Sequence, residues 1–443
     1  RHRDCHRNGN DSRTASRSSN EMRQIFYILI YFFCISLYSD DSIIRNVRYL
    51  IQNPDVYSFS KESVLRIRNG ILLPPEKSAD KSGKTVYAVP AFCDAGVTLT
   101  SDSLGGAADG AGIRTSFRSF LYHGFTHVMS IADTPSLKNI YKDVLTGKIP
   151  GPEILFSGKI ILPFTSEYES YPEEVYAAAS GPEEILAEAE RQTEVPFLRI
   201  FHRYFESENY SLTPLVLHKF SAGKRKYCVT AFADRISVLD AVRTRTKCIE
   251  HPIPDSVLNE FDREYEKELI WIPYFNLYRN LWIETDEEER LSHLDLLKQK
   301  SRFFEENYFS AAKEFRPAEM PENANAASEY RSYLNFLRNR KILLKKMALG
   351  SGSGHRFSFP GISGLDELSI IISVSGGSAD ILRIPTENTC SLIGGKYRGR
   401  LEFGSPADLL IFSENPAEKP ENIFSLEKVF YRGREQRSSV RKK

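Results

Sequence analysis

From about residue 88 to residue 354 the sequence repeats one rhythm, a short apolar run followed by a longer amphipathic stretch, and this alternation restricts the fold more than any other feature. The runs "GFTHVMSIAD", "PEILFSGKIIL", "PFLRIFH", "KYCVTAFAD", "KCIEHPI", "ELIWIPYF" and "ILLKKMALGSG" read as strands. Between them, "SLKNIYKDVLTGK" and "GPEEILAEAERQTEV" read as helices, the second opening with Gly-Pro and an acidic first turn. Repeated βα units of this kind build parallel sheets. About eight strands in roughly 260 residues suit a closed α/β architecture, a (β/α)8 TIM-like barrel with its reactive groups at the C-terminal strand ends.

The flanks read differently. "KESVLRIRNGILLPP" and "KTVYAVPAF" are short strands around a polar turn, and "GRLEFGSPADLLIFSENP" and "IFSLEKVFYRGR" are strands joined by turns at Gly404-Ser405-Pro406 and Asn415-Pro416. Residues 55–91 and 391–435 are therefore expected to form one small composite β-sandwich built from both chain ends, with the barrel over 92–390. A charged, helical insertion is expected over 284–340, broken by "RPAEMPENANAAS", and the glycine-rich "GGAADGAG" at 105–112 reads as a mobile loop over the barrel mouth. Residues 436–443 form a basic tail.

Near the start, Met22 and Arg23 precede "IFYILIYFFCI", an apolar run of signal-peptide length and too short to cross a bilayer as a helix. Residues 22–39 are read as a secretory signal and 1–21 as a disordered or artefactual extension, with Met22 as the start. The expectation is an exported protein, periplasmic, secreted or membrane-associated, without a transmembrane domain. A lipid anchor on Cys34 is disfavoured because "YFF" lacks the small residue such processing prefers.

Lys plus Arg number 59 against 58 Asp plus Glu, so the net charge of +1 gives no case for a nucleic-acid partner. Of six cysteines, Cys93, Cys228, Cys248 and Cys390 lie outside the N-terminal segment and show no Cys-x-x-Cys spacing. Buried free thiols are the expectation for these four, with oxidation of Cys228 and Cys248 on neighbouring strands left open. No Gly-x-Ser-x-Gly elbow, P-loop or dinucleotide fingerprint occurs.

"GRLEFGSPADLLIFSENP" with "KVFYRGR" is similar to the C-terminal signature of the amidohydrolase superfamily. "VPAFCDAGVTL" resembles its first barrel strand, "HGFTHVMSIAD" its second, "GKIPGPEILFSGKIIL" the Gly-Pro stretch of the imidazolonepropionase and prolidase-like branch, and "IEHP" its sixth. The resemblance spans about residues 63–435 in order. It implies a metal-dependent hydrolase holding zinc or another divalent ion through a His-x-His pair, a carboxylated lysine, two single histidines and an aspartate.

By that resemblance the ligand positions fall on Gly96, Thr98, Arg199, Phe232, His251 and Gly352, of which His251 alone keeps a metal-binding side chain. Glycine offers no donor, a neutral hydroxyl is a poor zinc ligand, and a guanidinium has no lone pair to give. A register shift would place Ala231 in the position given to Phe232. His123 and His127 are four apart in a segment that runs into a strand and need not share a face, His202 and His355 could converge with His251, and Asp94 and Asp408 read as structural. The chain is therefore read as a degenerate, catalytically inactive, metal-free homologue acting in binding, with no cofactor expected and a small-molecule ligand in the barrel mouth. The alternative is an active hydrolase of carbon–nitrogen (non-peptide or dipeptide) bonds with an altered metal site.

Overall fold

The computed structural model describes residues 41–78, 83–102, 106–163, 174–179, 182–192, 195–202, 226–231, 239, 241, 246–251, 269–301, 326–339 and 345–437. The expected signal segment, Phe232 and residues 438–443 of the expected basic tail lie outside these residues, while 436 and 437 end the last strand.

The satellite region is built from both chain ends. Its N-terminal strands are β1 (Ser42–Gln52), β2 (Tyr57–Phe59), β3 (Ser63–Arg68), β4 (Ile71–Leu72), β5 (Glu76–Lys77) and β6 (Val86–Pro90). The parallel strands that follow are β7 (Phe92–Val97), β8 (Phe125–Ser130), β9 (Glu153–Leu155), β10 (Ile160–Pro163), β11 (Tyr176–Ala179), β12 (Phe197–His202), β13 (Lys226–Ala231), β14 (Cys248–Glu250) and β15 (Ile270–Ile272). The C-terminal strands β16 (Leu409–Phe412), β17 (Leu426–Tyr431) and β18 (Arg434–Arg437) return to the satellite.

These end strands join as one nine-stranded mixed sheet in the order β18-β17-β16-β6-β1-β3-β4, with β2 on β1 and β5 on β3. Antiparallel pairing sets Leu410 opposite Val89, and parallel pairing sets Arg48 opposite Tyr87. The sheet begins at Ser42, ahead of the expected residue 55, because β1 supplies Val47 to its core. Between Ile44 and Val47 the register shifts where Asn46 takes φ 51°, a left-handed position that asparagine tolerates better than most residues. Successive residues of a strand face opposite sides. Ala88, Leu409 and Phe430 accordingly pack in the satellite's own core, whereas Val89, Leu410 and Val429 join the main core beside Phe92 and Phe125.

The parallel strands form two arcs, β7-β8-β9 and β11-β10-β12-β13-β14-β15. Segment 347–353 lies between them, bridging Met347 to Trp271 and Ser353 to Val97, with Ala348 N–H donating to Trp271 O at 2.8 Å and Ala95 N–H to Leu349 O at 2.7 Å. The expected eighth strand is thus reduced to isolated bridges, as its run "LGSGSG" has little side-chain bulk to hold a pleat. On the opposite flank β9 and β10 are separated at 156–159, where Gly158 takes φ 69°. Among the described residues the arcs do not close into a barrel.

Helices α1 (Gly110–Tyr122), α2 (Pro135–Leu145), α3 (Pro182–Arg191), α4 (Phe275–Thr285), α5 (Glu287–Lys300), α6 (Ala326–Asn339), α7 (Ile362–Ser375) and α8 (Thr389–Ile393) accompany the strands. The glycine-rich stretch expected as a loop runs into α1 at Gly110, because the Asp109 side chain accepts from Gly112 N at 2.7 Å and caps the helix. Ile113, Phe117, Phe120 and Leu121 then recur on one buried face. Thr134 caps α2 through Leu137 N at 3.2 Å, with Pro135 preset for its first turn. In the expected insertion, α5 starts on Asp286 with Glu287, Glu288 and Glu289 in its first turn and ends on Lys298 and Lys300, matching the helix dipole.

Two of the four cysteines read as free thiols are joined. Cys93 on β7 and Cys390 on α8 form a disulfide with Cα atoms 5.5 Å apart, across 297 residues of sequence. Spacing could not show this pair, since the fold alone brings α8 onto the first parallel strand. Cys248 is also disulfide-bonded, and the strand register sets Cys228 opposite it.

Candidate functional site

Alternation along three strands builds the centre of the molecule in tiers. Phe197, Cys248 and Ile272 pack with Ala95, Met129 and Ala348 in one apolar cluster. Two residues further along each chain segment, Arg199, Glu250 and Tyr274 share the next tier. Arg199 is 0% exposed and Glu250 2% exposed, and the Arg199 Nη1 group donates to a Glu250 carboxylate oxygen. Tyr274 Oη donates to the same oxygen at 2.9 Å, and Arg199 Nη2 donates to Ala95 O at 2.5 Å. A buried cation is thus neutralised by a buried anion and fixed to the first strand's backbone. Burial, followed by the charge of Glu250, holds the Tyr274 phenol well above the usual range, so it stays protonated.

Tyr274 owes its position to two backbone features. It takes φ 53° and ψ 47°, left-handed for a bulky side chain, at the entry to α4. The Glu367 carboxylate on α7 accepts from Phe275 N at 2.9 Å and Asn276 N at 2.6 Å, anchoring the first turn of α4 behind it. The ring then fills the space beside two glycines. A Cβ added at Gly96 would lie 2.6 Å from Tyr274 Cζ, and one at Gly350 would lie 2.6 Å from Tyr274 Cε1. The first-strand position that the family resemblance assigns to a metal-binding histidine therefore faces a tyrosine ring that excludes any side chain there. Gly96→Ala is expected to cost about 1–3 kcal/mol through overpacking. In a Tyr274→Ala background the same substitution should cost far less, and additive effects in urea unfolding would refute the contact.

The remaining sequence-predicted positions are scattered around this tier. Thr98 lines the cavity above it and donates from its backbone N to Ser353 O at 2.6 Å. Gly352, at φ 63°, donates to Gly96 O at 2.9 Å and so ties segment 347–353 to β7. Asp94 is structural in the same sense, accepting from Gly96 N at 3.0 Å and Ser351 N at 3.1 Å. Asp408 accepts from the Arg432 backbone within the satellite turn. His251 lies at the cavity floor with Nδ1 3.3 Å from Tyr278 Oη and its ring 5.3 Å from Tyr274. His355 lines the same cavity.

His123 and His127 do not converge. His123 ends α1 with Nδ1 2.8 Å from Ser119 O, whereas His127 stacks on Tyr397 with ring centres 4.6 Å apart. The side chain of His202 lies outside the described residues, as does Phe232. Glu250 and Tyr274 are the functional residues that the sequence reading missed. A glutamate interrupting the apolar "CIEH" opposite an arginine interrupting "FLRIF" was the available signal.

The cavity at these strand ends has a volume of about 370 Å³. Ile131, Ile160, Leu162, Leu277 and Leu281 form apolar walls, while Glu250, His251, Tyr274 and His355 supply polar groups. Burial pushes the His251 imidazole down to about 4, with Glu250 opposing and His355 and Arg199 reinforcing the shift. Burial also lowers His355. For His251 the folded value lies below the unfolded one, so its contribution to stability is present above pH 6.5 and is lost as pH falls through about 4. Histidine NMR should find this ring uncharged at about pH 5.5, and His251→Gln should flatten the decline in urea stability across that window.

These residues do not fit a divalent metal. No group of three or more His, Cys, Asp or Glu side chains suited to a metal ion occurs among the described residues. The nearest carboxylate is engaged by Arg199, whose fixed charge would repel a dication in the same tier.

No family model matches the sequence, and no curated protein matches it. Solved structures do match in fold. A crystal structure of an amidohydrolase superposes with a TM-score of 0.66 at 16% identity, covering 90% of this chain and 100% of that one. A Xaa-Pro dipeptidase with methionine bound in its active site gives 0.64 at 16% identity, covering 89% and 99%. The A. niger ochratoxinase gives 0.63 at 15% identity, covering 90% and 96%. The chain has the amidohydrolase fold, as the resemblance implied.

Proposed function

We propose that this amidohydrolase-fold chain is a binding protein whose strand-end cavity holds a small molecule without metal-dependent hydrolysis. The observation that carries the reading is the filling of the expected metal position by Tyr274 and the Arg199–Glu250 pair. We read the two parallel arcs as the (β/α)8 barrel of that fold, a reading supported by segment 347–353 bridging β15 to β7. We also read the protein as exported, supported by the Cys93–Cys390 disulfide, since such bonds persist in oxidising compartments. No helix among the described residues is long and apolar enough to cross a membrane.

Elemental analysis of the purified mature protein should find no stoichiometric zinc, manganese or iron. One equivalent of such a metal, together with chelator-sensitive turnover of dipeptides or cyclic amides, would overturn the reading. An active hydrolase of carbon–nitrogen bonds is the second reading. His251 and His355 lining one cavity beside Glu250, and the likeness in fold to a Xaa-Pro dipeptidase, favour it. Turnover of those substrates that disappears in His251→Ala would establish it.

A further inference from the structure

Resting on that metal-free reading, we infer that the strand-end cavity selects an uncharged, largely apolar ligand and discriminates against carboxylates, sulfonates and phosphates. The first ground is charge. Among the described residues lining the cavity, the acidic side chains are Glu174 and Glu250, and there is no lysine or arginine. Arg199 lies behind the floor rather than in it, fully buried and held by Glu250, Tyr274 and the Ala95 carbonyl, so its charge is already matched within the protein. An anionic ligand would enter beside the Glu174 carboxylate and a Glu250–Arg199 pair that is already neutral, with no cation among those linings to offset its lost hydration. A dication at the same place would reverse this charge, which is why the inference depends on the metal-free reading.

The second ground is shape and polarity. About 370 Å³ falls in the range of small-molecule sites, and the walls are dominated by branched aliphatic side chains. Apart from the two carboxylates, the polar linings are imidazoles, a phenol and threonine and serine hydroxyls, which offer neutral hydrogen bonds. Such a cavity stabilises an aromatic or branched aliphatic body by removing it from water, with orientation left to one or two neutral polar contacts.

The test uses two fluorescent probes that share one aromatic frame. N-phenyl-1-naphthylamine is uncharged, and 8-anilinonaphthalene-1-sulfonate is the same frame carrying a sulfonate. With full-length mature protein, the uncharged probe should bind at least about tenfold more tightly than the sulfonate. Ala108→Trp at the rim should weaken the uncharged probe by about tenfold or more, placing it in this cavity. Leu281→Lys supplies the absent cation and should narrow or invert the preference, which keeps the inference testable if Ala108→Trp does not fold. Equal or tighter binding of the sulfonate by the unmodified protein would overturn the inference, as would binding of the uncharged probe that neither substitution changes. Metal found with the preference intact would overturn the metal-free reading alone, and metal-free protein indifferent to probe charge would overturn this inference alone.

Discussion

Glu250→Ala is expected to destabilise the protein by about 3–5 kcal/mol, because it leaves a fully buried guanidinium without its counter-charge. The Tyr274 hydroxyl loses its acceptor at the same time. Urea unfolding, followed with the unmodified protein alongside, measures the loss directly. The double variant Arg199→Met with Glu250→Leu provides the contrast. Removing both charges and retaining volume should leave stability near the starting value or raise it by about 1–4 kcal/mol. A single Glu250→Ala loss under about 1 kcal/mol would mean that the pair is solvated, and with it the claim that an internal salt bridge occupies the metal position would fail.

The second large effect concerns Cys93 and Cys390. Replacing both with alanine should cost about 2–5 kcal/mol, since the bond ties the first parallel strand to a helix that follows the last across almost the whole core of the chain. Loop-closure entropy grows slowly with length, so so wide a separation places this bond towards the upper part of that range. Melting curves of the double variant and of the unmodified protein under a thiol reductant should shift downward together. Reductant that lowers the melting point of the unmodified protein but has the same effect on the double variant would assign the loss to another bond, such as the one at Cys248.

The parallel strands and the shared satellite sheet were legible because both rest on local pattern. Period-two and period-3.6 hydrophobicity marked β8, β12 and α2, and β16 beside β6 followed from strand-like runs at the two ends. The centre was only half legible. Arg199 could be recognised as a residue that repels metal, yet its partner Glu250 lies 51 residues away, and nothing local says that two opposite charges share a tier. Tyr274 was harder still, since its place follows from a left-handed backbone and an anchor on α7. The Cys93–Cys390 bond was illegible for the same reason, being a product of topology rather than of spacing. The eighth strand was over-read, as glycine and serine kept the direction of the run but gave up its ladder.

The shared satellite sheet also sets a timetable for the growing polypeptide. β6 borders β16, so the amino-terminal hairpins keep an open edge until Leu409–Phe412 have been synthesised. Nearly the entire chain must emerge before that edge is covered, and a chain of this length in that condition is prone to stick to its neighbours. Ribosome stalling or a stop codon just before Leu409 should thus yield aggregates rather than a shortened soluble product.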